Sequence, residues 1–295
     1  MRKIKTIKNA GFCYGVERAY NLAIKELKNK KNTVYSLGDL IHNKQVVTEL
    51  NELGAKPIKS LDEINSSSSH LSKGSIIIRA HGINKETNKE IKNKDLKIVD
   101  ATCPFVKVPQ NAVKEYGNKE YFIFIAGDEG HPEVEGIKSY VDASQRLIIS
   151  NHNEFKEHLF KTWPKKAALV SQTTLSFEIF SKIALFLIKE IEELVVINSI
   201  CDATNIRQKE TRELAEKSDI MIVIGGRHSA NTKRLLQISQ EYTKAIQIET
   251  EFELKKLWFD NLENIGITAG ASTPNWIIER VEDKIKDFFD GEIYE

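Results

Sequence analysis

Three cysteines divide this 295-residue chain at nearly even intervals, and a similar pattern of residues follows each of them. Cys13, Cys103 and Cys201 each precede a segment whose apolar residues recur at three- and four-residue spacing, which is typical of a helix. Two of these cysteines also follow a strand-like run, KIVDAT and VVINSI. Repetition at a fixed period indicates three copies of one structural unit.

A second strand-like run in each copy stops at a glycine turn, and a third run ends in small polar residues. The second runs are TVYSL, YFIFIA and IMIVI, and the glycines after them lie 24 or 25 residues beyond the preceding cysteine: Gly38, Gly127 and Gly225. A histidine follows each turn, at His42, His131 and His228. The third runs end near His81, Thr173 and Ser272.

Strands that alternate with helices at this spacing are typical of parallel sheets. The sequence therefore predicts an α/β fold of three similar domains in a pseudo-threefold arrangement. The expected domains are residues 1–100, 101–198 and 199–280, with 281–295 as a closing segment. Ligands of open α/β sheets bind outside the carboxyl ends of the strands, so the polar strand ends are expected to face one shared centre.

Two further segments are predicted from their composition and spacing. Residues 60–74, SLDEINSSSSHLSKG, contain four consecutive serines at Ser66–Ser69 and are expected to form a surface loop. Residues 276–289 have apolar residues at helical spacing and are expected to form a packed helix.

The charge balance and hydropathy exclude several partner classes. The 43 Lys and Arg residues nearly cancel the 42 Asp and Glu residues, so no strong overall field attracts nucleic acid or an anionic membrane. The longest apolar runs, such as 121–126, are far shorter than a membrane span. The basic N-terminus has no apolar region behind it, so no secretory signal is expected and the predicted location is the cytoplasm.

The cysteine pattern favours a metal site. An odd number of widely spaced cysteines argues against a disulfide framework and leaves them as buried core residues or as ligands. Thiolates select zinc, copper(I) or iron–sulfur clusters. The chain has neither the C-x-x-C pairs typical of structural zinc nor the tight four-cysteine run of ferredoxins. Three cysteines on separate domains suit a cubane cluster with one iron left open for substrate.

The polar residues near the strand ends indicate an anionic ligand. They offer hydroxyl, amide and imidazole groups close to expected helix starts, where backbone N–H groups favour phosphate. They are His42, His81, Thr173, Ser229, Asn231 and Ser272. Helix capping is the structural alternative for Ser229 and Ser272. No G-x-x-x-x-G-K-[ST] loop or G-x-G-x-x-G turn is present in a strand-to-helix setting, which argues against ATP and NAD.

Glu133 is the predicted proton donor. It lies in the acidic segment GDEGHPEVEG beside His131, and a carboxyl group in a closed site can have its pKa raised toward neutrality. The alternative is a first-turn carboxylate that complements a helix dipole.

Eight motifs in this order resemble the 4-hydroxy-3-methylbut-2-enyl diphosphate reductase (LytB) family over almost the whole chain. They are GFCYGVERA, GDLIHN, RAHG, DATCPFV, GHPEVEG, VSQTT, ICDATNIRQ and ASTP. The resemblance implies a three-domain trefoil around one 4Fe–4S cluster with three cysteine ligands, Cys13, Cys103 and Cys201, and an open apical iron. It also implies reductive removal of the substrate hydroxyl to give isopentenyl and dimethylallyl diphosphates, with ferredoxin or flavodoxin as the electron donor.

The resemblance further implies a role for each polar residue. Glu133 would deliver protons, with His131 beside it, and Thr173 would orient the substrate hydroxyl. The residues expected to hold the diphosphate are His42, His81, His131, Ser229, Asn231 and Ser272. The chain has Ala230 where the family commonly has a polar residue, so a backbone amide or a neighbour would have to serve there.

Two rival interpretations remain open from the sequence. One is a non-redox lyase that uses a three-cysteine cluster as a Lewis acid, as quinolinate synthase does; it would need arginines at the strand ends, and only Arg79 and Arg227 are available. The other is a non-enzymatic module, either an iron–sulfur sensor or a phosphate-binding protein whose cysteines are core residues. Iron analysis and an activity assay would separate these classes.

Overall fold

The computed structural model describes residues 2–29, 33–64, 74–94, 96–151, 153–154 and 162–289. The chain divides into two compact units. The one-sheet unit consists of Met1–Glu17, Ile41–Thr48 and Asp202–Glu295. The two-sheet unit consists of Arg18–Leu40 and Glu49–Cys201.

The two-sheet unit contains two parallel sheets of four strands each. The first has the strand order β3-β2-β4-β5. Its strands are β2 (Val34–Leu37), β3 (Ala55–Ile58), β4 (Ser75–Ile78) and β5 (Lys97–Asp100). The second has the order β7-β6-β8-β9. Its strands are β6 (Phe122–Ala126), β7 (Arg146–Ile149), β8 (Lys166–Ser171) and β9 (Glu193–Val196).

The one-sheet unit contains the third parallel sheet, whose strand order is β11-β10-β12-β1. Its strands are β1 (Lys3–Thr6), β10 (Ile220–Ile224), β11 (Lys244–Ile248) and β12 (Asn264–Ala269). Every residue of the inner strand β10 is buried, as expected for a parallel strand covered on both faces. The edge strand β1 instead exposes Lys3 and Lys5, and charged edge residues discourage pairing with another chain.

Nine α-helices connect or flank these strands over the described residues. They are α1 (Tyr14–Lys28), α2 (Lys44–Glu52), α3 (Lys85–Lys92), α4 (Pro104–Asn118), α5 (Pro132–Lys138), α6 (Phe177–Glu190), α7 (Asp202–Ala215), α8 (Ala230–Gln240) and α9 (Asn275–Asp287). Short 3-10 helices cover Leu61–Glu63, Ala143–Gln145, Glu251–Glu253 and Lys256–Phe259.

The inner strands of each sheet are buried on both faces because helices cover each side. In β6, Phe124 and Ala126 contribute to one apolar cluster, whereas Ile123 and Ile125 contribute to another. Alternate residues of a strand point to opposite faces, so this short run supplies two cores at once. Helix α9 supplies Ile277, Val281 and Ile285 to the core of the one-sheet unit, in the spacing predicted from the sequence.

The three sheets have the same architecture, which confirms the predicted α/β class and its threefold repetition. The fourth strand of each sheet is the one that leads into a cysteine: β5 into Cys103, β9 into Cys201 and β1 into Cys13. Strand β1 comes from the N-terminus yet completes the sheet formed by residues 220–269. The domain boundaries at residues 100, 198 and 280 stay a proposal.

Two of the segments predicted from the sequence lie partly outside the described residues. The predicted serine-rich loop at 60–74 falls largely on residues 65–73, which lie outside the described residues, as do residues 290–295 of the closing segment. In the part of the chain that the structure covers, no helix is both long enough and apolar enough to span a bilayer.

Candidate active site

Each predicted cysteine ligand occupies the same backbone position in its own sheet. The cysteine N–H donates to the backbone carbonyl of a residue two positions beyond the end of a strand, at 2.9 to 3.2 Å. That strand is β12 for Cys13, β4 for Cys103 and β8 for Cys201. The three pairs are Cys13 with Ala271, Cys103 with Ala80 and Cys201 with Thr173. The repeat seen in the sequence is therefore also a repeat of hydrogen bonding, and it ties each cysteine to a polar strand end.

The setting of the thiols suits binding to a soft metal. Helices α1, α4 and α7 begin directly after Cys13, Cys103 and Cys201, and each cysteine is partly exposed and not in a disulfide. Sulfur from cysteine is the ligand that soft metals and iron–sulfur clusters prefer. Taken singly, neither unit brings three His, Cys, Asp or Glu side chains together as a metal site over its described residues.

Glu133 and Thr173 form a buried acid–hydroxyl pair in the two-sheet unit. Glu133 is 1% exposed on the first turn of α5, and Thr173 follows β8. The Thr173 N–H donates to Oε1 of Glu133 at 2.6 Å, and the Thr173 hydroxyl donates to Oε2 at 2.9 Å. Both carboxyl oxygens of Glu133 therefore accept a hydrogen bond from Thr173.

Burial raises the pKa of Glu133 from 4.5 to about 7, although both hydrogen bonds from Thr173 act to lower it. Desolvation dominates because the charged form loses its hydration and no cation pairs with the carboxylate in the described structure. A carboxyl group with a pKa near 7 is suited to gain and lose a proton at neutral pH.

The raised pKa of Glu133 predicts a specific dependence of stability on pH. The folded chain binds this proton more tightly than the unfolded chain does, so its stabilising effect is complete below pH 4.5 and is lost as the pH rises through 7. The loss is about 3 kcal/mol of the free energy of unfolding. Urea unfolding of the wild-type chain and of Glu133→Gln, measured between about pH 5 and pH 8, isolates this contribution.

Glutamine serves as the matched control because its amide can keep both contacts with Thr173 but does not titrate. We expect the difference in unfolding free energy between the two proteins to shift in favour of the glutamine variant as the pH rises. Parallel pH profiles for the two proteins would show that the carboxyl group is ionised throughout this range.

His131 and His81 meet at the edge of the same unit. His131 is the N-cap residue of α5, and its Nδ1 accepts the Glu133 N–H at 3.1 Å. A neutral His131 ring therefore carries its proton on Nε2. The rings of His81 and His131 lie edge to face with centroids 5.8 Å apart. These two predicted ligand-binding residues are thus neighbours, although they follow strands of different sheets.

His42 and Ser272 are joined in the one-sheet unit. The Ser272 hydroxyl donates to the carbonyl oxygen of His42 at 3.1 Å. Gly226 faces the same carbonyl, and a Cβ added there would lie only 2.6 Å from the oxygen. Gly226 is not among the residues predicted from the sequence, although the doubled glycine in IGGRHS is a visible signal for it.

The first turn of α8 contains two very different polar residues. Ser229 is the N-cap residue of α8, and its hydroxyl oxygen accepts the Thr232 N–H at 3.3 Å. In this structure Ser229 therefore caps the helix, which is the structural alternative to ligand binding. Asn231 is 5% exposed, and neither its Oδ1 nor its Nδ2 has a hydrogen-bond partner among the described residues. Buried amides are normally satisfied, so Asn231 is suited to bind a ligand.

The remaining strand-end side chains have local roles. His228 is exposed. Arg227, one of the two arginines that a dicarboxylate lyase would need, pairs with Glu253. The other, Arg79, donates from Nε to the carbonyl of Gly82 at 3.3 Å. In these contacts, neither arginine is bonded to a predicted ligand-binding residue.

The repeated parallel sheets, the buried acid–hydroxyl pair and the polar strand ends define the chain as an α/β enzyme. The model of the LytB protein family matches residues 4–286, and the chain belongs to that family. The resemblance stated from the motifs is therefore confirmed.

Individual relatives are similar over nearly their whole length, and they are named as oxidoreductases of one kind. The 4-hydroxy-3-methylbut-2-enyl diphosphate reductase of Clostridioides difficile is 44% identical over 278 residues, covering 94% of this chain and 97% of that protein. The enzyme of the same name from Aquifex aeolicus is 39% identical over 288 residues, covering 97% and 96%.

Two solved structures are also similar. The E-1-hydroxy-2-methyl-but-2-enyl-4-diphosphate reductase of Plasmodium falciparum superposes with a TM-score of 0.88 at 28% identity, covering all of this chain and 91% of that one. A structure of (E)-4-hydroxy-3-methyl-but-2-enyl diphosphate reductase, described as the terminal enzyme of the non-mevalonate pathway, gives 0.68 at 38% identity, covering 97% and 100%.

Proposed function

We propose that this protein reductively dehydroxylates (E)-4-hydroxy-3-methylbut-2-enyl diphosphate to isopentenyl and dimethylallyl diphosphates, the last step of the non-mevalonate isoprenoid pathway. The observation that carries the proposal is full-length membership of the LytB family together with the buried Glu133–Thr173 pair. The relatives' names supply the substrate. The pair supplies the proton chemistry that loss of a hydroxyl group requires.

The proposed cofactor is one 4Fe–4S cluster held by Cys13, Cys103 and Cys201, with an open apical iron. The LytB family is one of iron–sulfur enzymes; the cluster type and the ligand set are proposed here. The support is the equivalent position of the three thiols at helix starts and the absence of a fourth cysteine from the sequence. When bound, such a cluster would supply electrons and a Lewis-acidic iron for the substrate oxygen.

Glu133 and Thr173 would manage protons and orientation. The Thr173 hydroxyl, 2.9 Å from Oε2 of Glu133, can donate to the carboxylate or accept from the protonated acid, so it can bridge Glu133 to a substrate hydroxyl. The Thr173 N–H fixes the other carboxyl oxygen and leaves only Oε2 to exchange the proton. Removal of the hydroxyl as water consumes one proton and formation of the new C–H bond consumes another, and Glu133, with His131 beside it, is the proposed source.

The diphosphate would be held by the six polar residues predicted from the sequence. The residues are His42, His81, His131, Ser229, Asn231 and Ser272. Asn231 gives the strongest support because its buried amide has no protein partner over the described residues. Ala230, which stands where the family commonly has a polar side chain, is the first residue of α8, where its backbone N–H can serve instead.

Three wider features complete the proposal. The three α/β domains would form the trefoil implied by the family resemblance, with boundaries at residues 100, 198 and 280. Ferredoxin or flavodoxin would supply electrons, as the family resemblance implies. The proposed location is the cytoplasm.

An anaerobic assay tests the proposed function. The full-length protein, purified without oxygen, is mixed with (E)-4-hydroxy-3-methylbut-2-enyl diphosphate and a chemically reduced dye, and the products are identified by mass spectrometry. We expect oxidation of two equivalents of one-electron dye for each substrate consumed, with both five-carbon diphosphates formed.

The rival functions predict different results in the same assay. A cluster-containing protein that leaves the substrate unchanged would instead be a sensor or a lyase, and conversion of a dicarboxylate substrate would identify the lyase. A protein that binds neither iron nor sulfide under these conditions would have core cysteines and no reductase activity.

A further inference from the structure

The loop that leads to Cys13 is fastened to helix α7 by a buried arginine. Arg207 is only 3% exposed. Its Nε donates to the carbonyl oxygen of Asn9 at 2.9 Å, and one terminal nitrogen donates to the carbonyl oxygen of Gly11 at 2.8 Å. One planar guanidinium thus binds two carbonyls two residues apart, in the segment that ends at the cysteine.

A second residue of α7, Glu210, also binds this loop. Glu210 is one turn beyond Arg207, so the two side chains lie on the same side of the helix. The Glu210 carboxylate accepts the Asn9 N–H at 2.9 Å and the Asn9 side-chain amide at 2.6 Å. Arg207 and Glu210, here called the α7 clamp, therefore bind both the donors and the acceptor of Asn9.

The loop itself is shaped to stay in this position. Gly11 has φ +91, which favours glycine, and a Cβ there would lie 2.5 Å from Oδ1 of Asn275. Cys13 closes the loop by donating its N–H to Ala271 at 3.2 Å. The backbone of this loop is thus hydrogen-bonded to α7 at Asn9 and Gly11 and to the residue after the sheet end at Cys13.

The inner face of α7 is unusual for a helix of an α/β protein. It buries a polar stripe of Thr204, Arg207, Gln208 and Thr211 before reaching Leu214 and Ala215. A packed helix normally buries an apolar stripe, and burial of a charged group is costly unless its hydrogen bonds are made. Within this stripe, the hydrogen bonds of the buried arginine are made to the loop that leads to Cys13.

We propose that Arg207, assisted by Glu210, is a positioning residue that sets the place of the Cys13 thiol in the cluster site. This inference rests on the proposed function for its meaning, because Cys13 matters as a cluster ligand. Helix α7 begins directly after Cys201, so the clamp links the loop of one proposed ligand to the helix that starts at another. Neither clamp residue contacts substrate in this scheme, and neither is a catalytic residue.

Hydrogen exchange and cluster retention test the clamp together. The full-length wild-type protein is compared anaerobically with Arg207→Met, Arg207→Lys, Glu210→Gln and the control Lys209→Met, an exposed substitution on the same helix. We expect Arg207→Met to speed amide exchange in residues 7–13 on the order of tenfold. Loss of iron to a chelator should also speed up about tenfold, as is typical when a group supporting a metal ligand is removed.

The pattern of effects separates positioning from general stability. Arg207→Lys should recover part of the retention, Glu210→Gln should have a smaller effect because its contacts are more exposed, and Lys209→Met should match wild type. Exchange around Cys103 and Cys201 should be unchanged in every variant. Equal loosening at all three cysteines, or wild-type iron loss in Arg207→Met, would overturn the proposal.

Two outcomes distinguish this inference from the proposed function. In the first outcome, the wild-type protein binds no iron, and Arg207→Met speeds exchange only in residues 7–13. The clamp would then be a loop anchor, and both the proposed cluster and the positioning role would be refuted. An iron-containing, active wild type whose Arg207→Met variant retains iron normally would refute the clamp alone. If Arg207→Met does not fold, Glu210→Gln and Arg207→Lys give the same comparison.

Discussion

Replacing Glu133 by glutamine is expected to lower kcat by about 10²–10⁴ while leaving the iron content unchanged. The carboxyl group is 1% exposed, and its raised pKa, about 7, lets it both gain and release a proton at neutral pH. Glutamine has the same shape and can accept the Thr173 N–H, but it has no acidic proton. Turnover and iron content are measured on the same anaerobic preparations.

Two variants of Thr173 control this result. Thr173→Ser keeps the hydroxyl beside Oε2 and is expected to retain most activity, whereas Thr173→Val keeps the shape and the N–H bond but removes the hydroxyl. The turnover of Thr173→Val is therefore expected to fall as that of Glu133→Gln does. Wild-type turnover in Glu133→Gln, with its cluster intact, would remove Glu133 from the mechanism.

Replacing Cys103 by serine is expected to abolish turnover and the cluster absorbance at about 410 nm. Serine is a hard oxygen ligand and binds iron–sulfur clusters poorly in place of a thiolate. Cys103 is also the N-cap residue of α4, a position that serine favours. The fold is therefore expected to survive the substitution, so loss of iron would report on ligation and not on unfolding.

Circular dichroism and urea unfolding of the same variant provide the control. A folded Cys103→Ser protein that retains the iron and sulfide of wild type would show that Cys103 is a core residue. Cys201→Ser is expected to behave in the same way, because its backbone position repeats that of Cys103.

Much of the fold could be predicted because local residue types agree with it. The runs YFIFIA and IMIVI are rich in β-branched or aromatic residues and stop at glycine, and they form fully or almost fully buried inner strands. Regular spacing from the cysteines was enough to identify three similar sheets. The acidic segment around Glu133 also stood out, since its charge density fits no ordinary core.

Other features could not be predicted because they depend on contacts between distant segments. Strand β1, KIKT, alternates weakly and joins β12 more than 250 residues away, so only tertiary pairing shows that it completes a sheet. The spacing of residues after Cys201 predicts the helix but not the burial of its polar face, because a lone arginine in a helix is usually exposed. The glycine at position 226 can likewise be read from the sequence, but its close approach to the His42 carbonyl cannot, because the two residues are far apart in the chain.

The most direct test of the account is a crystal structure of protein purified without oxygen, with anomalous diffraction collected at the iron absorption edge. We expect four iron atoms bonded as one cluster to the sulfur atoms of Cys13, Cys103 and Cys201, with one iron lacking a protein ligand. Well-ordered thiols with no iron signal among them, or iron bound by other side chains, would contradict it.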